Sequence, residues 1–224
     1  MNAGSSRSFL RGANLVSFVP AVSDENRADI LDVLLLAELS ASQRYNRVSQ
    51  WAQWVEAYRG VLSSLGLAGR GSLLQSPVKV SNEKGFRRET SRLIQTISPP
   101  QLAKVAQSGL DIMFSSAHAR LFFSSWFNFK SARSDSFQIV PCHQTEAGEI
   151  NIAVCGLQMI TRTRPKRPIF FRPVLPAWPF AYEMTVTLRG GGFVFNAKAY
   201  EQHRQQVRRQ LQARADKAIQ LIEL

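Results

Sequence analysis

Two hydrophobic periods divide this chain. From residue 23 to about residue 67, apolar side chains recur every three or four positions: Ile30, Leu31, Leu34, Leu35 and Leu39, then Tyr45, Val48, Trp51, Trp54, Val55, Tyr58, Val61, Leu62 and Leu65. That spacing keeps one face of an α-helix apolar. Beyond residue 136 the grammar changes. Glu183, Thr185 and Thr187 alternate with Met184, Val186 and Leu188, the period of a strand covered on one side. Helices followed by strands predict the α+β class: an N-terminal helical layer (23–118) packed on a C-terminal antiparallel sheet (mainly 119–195) and closed by a C-terminal helix (196–222). The 224 residues accommodate one such domain, 23–224, behind an N-terminal arm of residues 1–22.

Local signals fill in this outline. Ser23 or Asp24 caps the first helix, acids occupy its first turns, and Gly66 closes the stripe, which is one long helix or a hairpin broken near residues 40–42. A Gly- and Ser-rich connection over 68–85 holds a short strand at 78–80, and residues 86–97 form a second helix. Ser98-Pro99-Pro100-Gln101 fits a capping box, so a helix follows over 99–116. Segments 136–143 and 150–159 flank a polar turn containing Gly148 and read as a hairpin. Two more strands fall at 169–175 and 182–188. Gly190-Gly191-Gly192 reads as a turn, after which Asn196 caps the last helix with Phe195 and Tyr200 at staple spacing. The inner stripe of that helix is Val207, Leu211, Ala215, Ala218 and Ile222.

The block Asp32-x-Leu34-Leu35-Leu36-Ala37-x-Leu39, followed by Tyr45, Trp51, Trp54, Tyr58 and Leu62, resembles an uncharacterised family of bacterial proteins. Its members also resemble this chain in ending with a strand, an Asn-capped helix and an acidic-apolar tail such as Leu221-Ile222-Glu223-Leu224. These are packing motifs, and the resemblance implies no catalytic residues. The helix-on-sheet plan is similar to that of Cyt-type cytolysins, as an analogy of architecture.

Charge bears on partners. There are 28 basic and 16 acidic residues, a formal net charge of +12, with 15 basic and 7 acidic residues falling in 120–224. Such an excess attracts polyanions: an anionic membrane surface, an acidic protein partner, or nucleic acid. The longest runs free of charge, 12–23 and 150–161, are shorter than a membrane-spanning helix. Residues 12–22 lack the leucine-rich block of a signal peptide, so the expected location is the cytoplasm, or outside the cell by a route that needs no classical signal.

Reaction chemistry finds little support. His118, His143 and His203 have no zinc-enzyme spacing, and Cys142, His143 and Cys155 lack a fourth ligand, so no metal and no cofactor is expected. Cys142 and Cys155 fall near each other on adjacent strands, where they form a disulfide if the chain is exported and stay reduced inside a cell. There is no phosphate loop and no G-x-S-x-G elbow, and the expectation is a protein that is not an enzyme. The most functional-looking segment is 162–168, where Arg162, Arg164, Lys166 and Arg167 surround Pro165. With Arg208 and Arg209 these are the candidate anion- and headgroup-binding residues, and Trp126, Phe127, Trp178 and Phe180 are the candidate membrane contacts. They suit a toxin- or virulence-type factor that acts on membranes or a host, forms pores and oligomerises there, with helix 30–39 or the aromatic segment 121–129 inserting. Two alternatives stand beside it: an arginine-rich nucleic-acid binder whose aromatics stack on bases, and a structural or partner-binding protein.

Overall fold

The computed structural model describes residues 6–74, 77–97, 99–116, 127–128, 133–134, 137–161, 184–214 and 221–224. In chain order the elements are β1 (Arg7–Arg11), β2 (Asn14–Phe18), α1 (Asp24–Arg44), α2 (Trp51–Ser64), β3 (Ala68–Leu74), β4 (Val78–Val80), α3 (Glu83–Ile97) and α4 (Pro100–Ser115). They continue with β5 (Phe127–Asn128), β6 (Arg133–Ser134), β7 (Phe137–Gln144), β8 (Ile150–Thr161), β9 (Met184–Phe195), α5 (Ala197–Gln212) and β10 (Leu221–Glu223). The class is α+β, as the sequence predicts.

One ten-stranded sheet organises these elements. It runs β10–β1–β2–β7–β8–β9, with β3 and β4 end to end along the far side of β9, and β6 and β5 continuing the β7 edge of β8. Every pairing is antiparallel except β2 with β7, which run parallel. The sheet is therefore mixed, and the N-terminal half contributes strands to it.

Helices cover both faces, where one covered face was expected. Val16 and Phe18 of β2, Ile152 and Val154 of β8, and Phe193 and Phe195 of β9 join α1, α2 and α5 in one core. The alternate residues, Leu15, Ala153, Cys155, Leu157, Val186 and Leu188, join α3 and α4 in a second. Strands buried on both faces read as continuous apolar runs, which is how 150–157 reads. Gly109 lets α4 lie against β1 and β2: a Cβ there would sit 3.2 Å from Ser17 Cβ, beside the Ser8–Ser17 hydroxyl pair at 2.9 Å.

Four further differences have local causes. Residues 7–18 are an inner hairpin of the sheet and not a peripheral arm; Gly12, at φ 57°, makes its turn, and five-residue strands are too short for period alone to identify. The first helix breaks after Arg44, because the Asn46 side chain accepts from the Val48 and Ser49 amides and nucleates a turn. Gly190–Gly192 lie inside β9. A Cβ on Gly191 would stand 2.6 Å from the Gly71 carbonyl oxygen of β3, so the triplet serves close strand approach and not a turn. The last helix ends at Gln212, and Leu221–Glu223 instead pair with the free edge of β1, Ile222 opposite Leu10.

Elsewhere the expected local chemistry appears. Asn196 Oδ1 accepts from the Ala199 amide at 3.1 Å, and the Phe195 and Tyr200 rings lie 5.3 Å apart. Helix α4 starts at Pro100 with Pro99 as its cap, and Ser98 lies outside the described residues. The 169–175 strand does too.

Candidate functional site

The α1–α2 hairpin forms the middle of the layer over β2, β7, β8 and β9, and two groups of buried charge fasten it. The first centres on Glu38, four residues after Leu34 on the apolar face of α1 and only 4 % exposed. Its carboxylate accepts from the Ala13 amide at 2.9 Å, Asn14 Nδ2 at 2.8 Å and Arg47 Nη1 at 2.7 Å. The Asn14 Oδ1 in turn accepts from the Tyr58 hydroxyl at 2.9 Å. One connected network thus joins the β1–β2 turn, α1, the interhelical loop and α2. Gly12 belongs here because a Cβ would lie 2.9 Å from the Glu38 carboxyl carbon.

Burial governs the titration of these groups. It raises the Glu38 carboxyl above its ordinary value, a shift opposed by Arg47 and by the Ala13 and Asn14 donors. Burial, with the Glu38 charge nearby, also pushes the Tyr58 phenol well up, so Tyr58 keeps its proton and donates.

The second group ties α1 to α5. Asp29, 1 % exposed, accepts from Arg204 Nε at 3.0 Å and Nη2 at 2.8 Å, while Arg208 Nη2 stands at 3.4 Å. Arg204 also meets Glu25 at 3.1 Å and pairs with Glu201 one helical turn away. The planar fork of arginine suits such a shared site. Neighbouring Asp32 lies 3.6 Å from Arg11 of β1, and burial raises its carboxyl.

Of the residues singled out in the sequence, Arg208 is half-exposed and turned toward Asp29, and Arg209 is exposed and bonds Gln205 one turn back on α5. Arg162, Arg164, Lys166, Arg167, Trp126, Trp178 and Phe180 lie outside the described residues. Phe127 falls in β5, opposite Ser134. The structure brings none of the candidate cations together with the candidate aromatics among the described residues. Cys142 and Cys155 are both free and buried, the reduced one of the two states the sequence allows. Cys142 stands opposite Ile152 and Cys155 opposite Ile139, and their side chains enter different cores on opposite faces of the sheet. Burial pushes the Cys155 thiol up to about 12.

Glu38, Asn14, Arg47, Tyr58 and Asp29 were not singled out as functional residues. The signal that marks Glu38 is an acid in the apolar register of a helix, since a charge almost never occupies such a position unpaired; its partners carry no such signal.

With this geometry in place, the fold can be compared with solved structures. It matches the activated Cyt2Ba monomer from Bacillus thuringiensis subsp. israelensis with a TM-score of 0.52 and 12 % identity, over 81 % of this chain and 98 % of that one. The likeness is one of fold. A structure described as a delta-endotoxin aligns with a TM-score of 0.46 and 10 % identity, over 84 % of this chain and 85 % of that one. No known protein family matches the sequence, and no curated protein matches it.

Proposed function

We propose that this protein acts on membranes as a non-enzymatic, toxin-type factor and forms pores, with the α1–α2 hairpin leaving the sheet so that the strands beneath meet lipid. The observation that carries this reading is the fold shared with activated Cyt2Ba over nearly the whole of that chain. The physical arrangement supports it. Departure of the hairpin uncovers Ile152, Val154, Phe193 and Phe195, an apolar face that water opposes and hydrocarbon accepts. No helix among the described residues is long and apolar enough to cross a membrane. Strands β8 and β9 have 12 residues each, against the ~9–11 that a tilted transmembrane strand needs. In the first half of β9 Val186 and Leu188 pack with α3 and α4, and Thr185 and Thr187 lie on the hairpin side, so the apolar part of that side is Phe193 and Phe195. Strands, more than helix 30–39, are therefore the elements suited to spanning. The net charge of +12 supplies attraction to anionic headgroups.

Dye release from vesicles of phosphatidylcholine alone, and of phosphatidylcholine with phosphatidylglycerol, tests this across a salt series. Release is expected from both, with the advantage of anionic vesicles fading as salt rises. Binding without release at any salt would sink pore formation.

A further inference from the structure

We propose that the groove between the end of α1, the first turns of α2 and the middle of β9 is a binding site for a phosphate group. The groove is shallow and open, with a volume of about 470 Å³, and Arg44, Tyr45, Gln53, Glu56 and Arg189 line it. Its charge balance is the first argument. Glu56 is the sole acid on the lining among the described residues, and Arg59 Nη1 already meets both its oxygens, at 3.0 and 3.4 Å. Arg189 Nη1 lies 3.7 Å from the same carboxylate, beyond hydrogen-bond reach. Arg44, exposed in the last turn of α1, has no ion-pair partner among the described residues. Arg44, with unused donors, and Arg189, loosely paired with Glu56, thus border one groove, and Arg59 shares the same carboxylate.

The second argument is how the fold holds them there. Arg189 stands on a paired strand, half-buried beneath α2. Gly156, its partner on β8, keeps the sheet surface low enough for α2 to settle, since a Cβ there would already be 3.3 Å from Val55. Arg59 is seated over Gly191 in the same way, where a Cβ would be 3.1 Å from its Nη2. Carried on a strand and packed against α2, Arg189 is pre-positioned, which lowers the cost of ordering it around a ligand. The Arg44 and Arg189 forks, the Gln53 amide and the Tyr45 hydroxyl together suit an acceptor with several oxygens. A phosphate group meets that need through charge-assisted bonds. Both a free phosphate ester and a lipid headgroup supply this chemistry. The site stands on its own residues and does not depend on pore formation.

Titration of the intact protein with glycerol 3-phosphate, and flotation with vesicles of phosphatidylcholine and phosphatidic acid, read the two sources. The double variant R44Q/R189Q should weaken binding by about tenfold or more. K84Q/K104Q removes the same charge from α3 and α4 on the other face of the molecule, and should change it little. Weakening with glycerol 3-phosphate alone assigns the groove to soluble esters; weakening with vesicles alone assigns it to headgroups. Equal weakening by both variants, no weakening by R44Q/R189Q, or no binding of either probe by the unaltered protein would overturn the proposal. Should R44Q/R189Q lower the unfolding midpoint, R44Q alone, at an exposed and unpaired position, must still weaken binding. Dye release measured in parallel separates the two proposals: a lost phosphate site with intact release rejects only this one.

Discussion

Replacing Tyr58 by Phe removes a single oxygen from the centre of the hairpin's polar latch. The ring is fully buried and lies 5.3 Å from Trp54, contacts that Phe retains, so the loss is confined to the hydroxyl. Asn14 Oδ1 then has no donor, and its amide cannot turn over to compensate, because Nδ2 already serves Glu38 at 2.8 Å and the Arg11 carbonyl at 2.9 Å. A stranded buried acceptor added to a lost hydrogen bond gives a cost of ~1–3 kcal/mol. For a chain of this size each kcal/mol lowers the melting temperature by ~2–4 °C. Urea and thermal unfolding should show that loss, and dye release from anionic vesicles should become faster because the hairpin is held less firmly. In an Asn14→Ala background the acceptor is absent, so the same Tyr58→Phe change should cost markedly less. An unchanged stability, or a cost as large in the Asn14→Ala background, would refute the assignment of this bond as a latch.

Other expectations follow from the same residues. Asp29→Asn leaves Arg204 without its buried partner, and the cost should lie toward the lower end of ~3–5 kcal/mol, since Glu25 and Glu201 still face that guanidinium; urea midpoints measure it. Glu38 titrates above its ordinary value of 4.5 in the folded chain, so between that value and the raised one the folded state binds more protons than the unfolded state. Its contribution to stability therefore grows as pH falls through this window, and the stability of the unaltered protein relative to Glu38→Gln should increase from pH 7 toward about pH 4.5. A difference that shrinks on acidification would show that Arg47, Ala13 and Asn14 outweigh burial. Cys142 and Cys155 should resist thiol reagents in the folded protein and both react in urea, and electrophoresis under oxidising conditions should show no internal crosslink.

The parts of the fold that could be read in advance were those with strong local grammar. The stripe from Ile30 to Leu65, the hairpin around Gly148 and the Asn196 cap are set by contacts a few residues apart. What could not be read depends on distant partners. Leu10, Leu15 and Ile222 become strand residues only because β7 offers β2 a parallel edge and β1 offers β10 an antiparallel one. Gly190 and Gly191 looked like a turn because glycine signals both loose backbone and close approach, and only the positions of β8, against Gly190, and β3, against Gly191, decide between them. At the candidate site, Glu38 follows Leu34 by four residues, a charge in an apolar register, whereas Asp29 has the look of an ordinary first-turn acid. Their partners Asn14, 24 residues from Glu38, and Arg204, 175 residues from Asp29, were not visible in advance.

Tethering α2 to the sheet tests hairpin release most directly. A Cβ on residue 156 would lie 3.3 Å from a Val55 methyl and 3.0 Å from the Arg189 carbonyl oxygen, so Val55→Cys and Gly156→Cys bring two sulfurs within bonding reach between α2 and β8 once the backbone there gives by a few tenths of an ångström. Dye release from phosphatidylcholine and phosphatidylglycerol vesicles is then compared before and after reduction with dithiothreitol. Pore formation through hairpin release predicts that the oxidised protein is inactive and that reduction restores release to the level of the unaltered chain. Full release by the oxidised, tethered protein would contradict it.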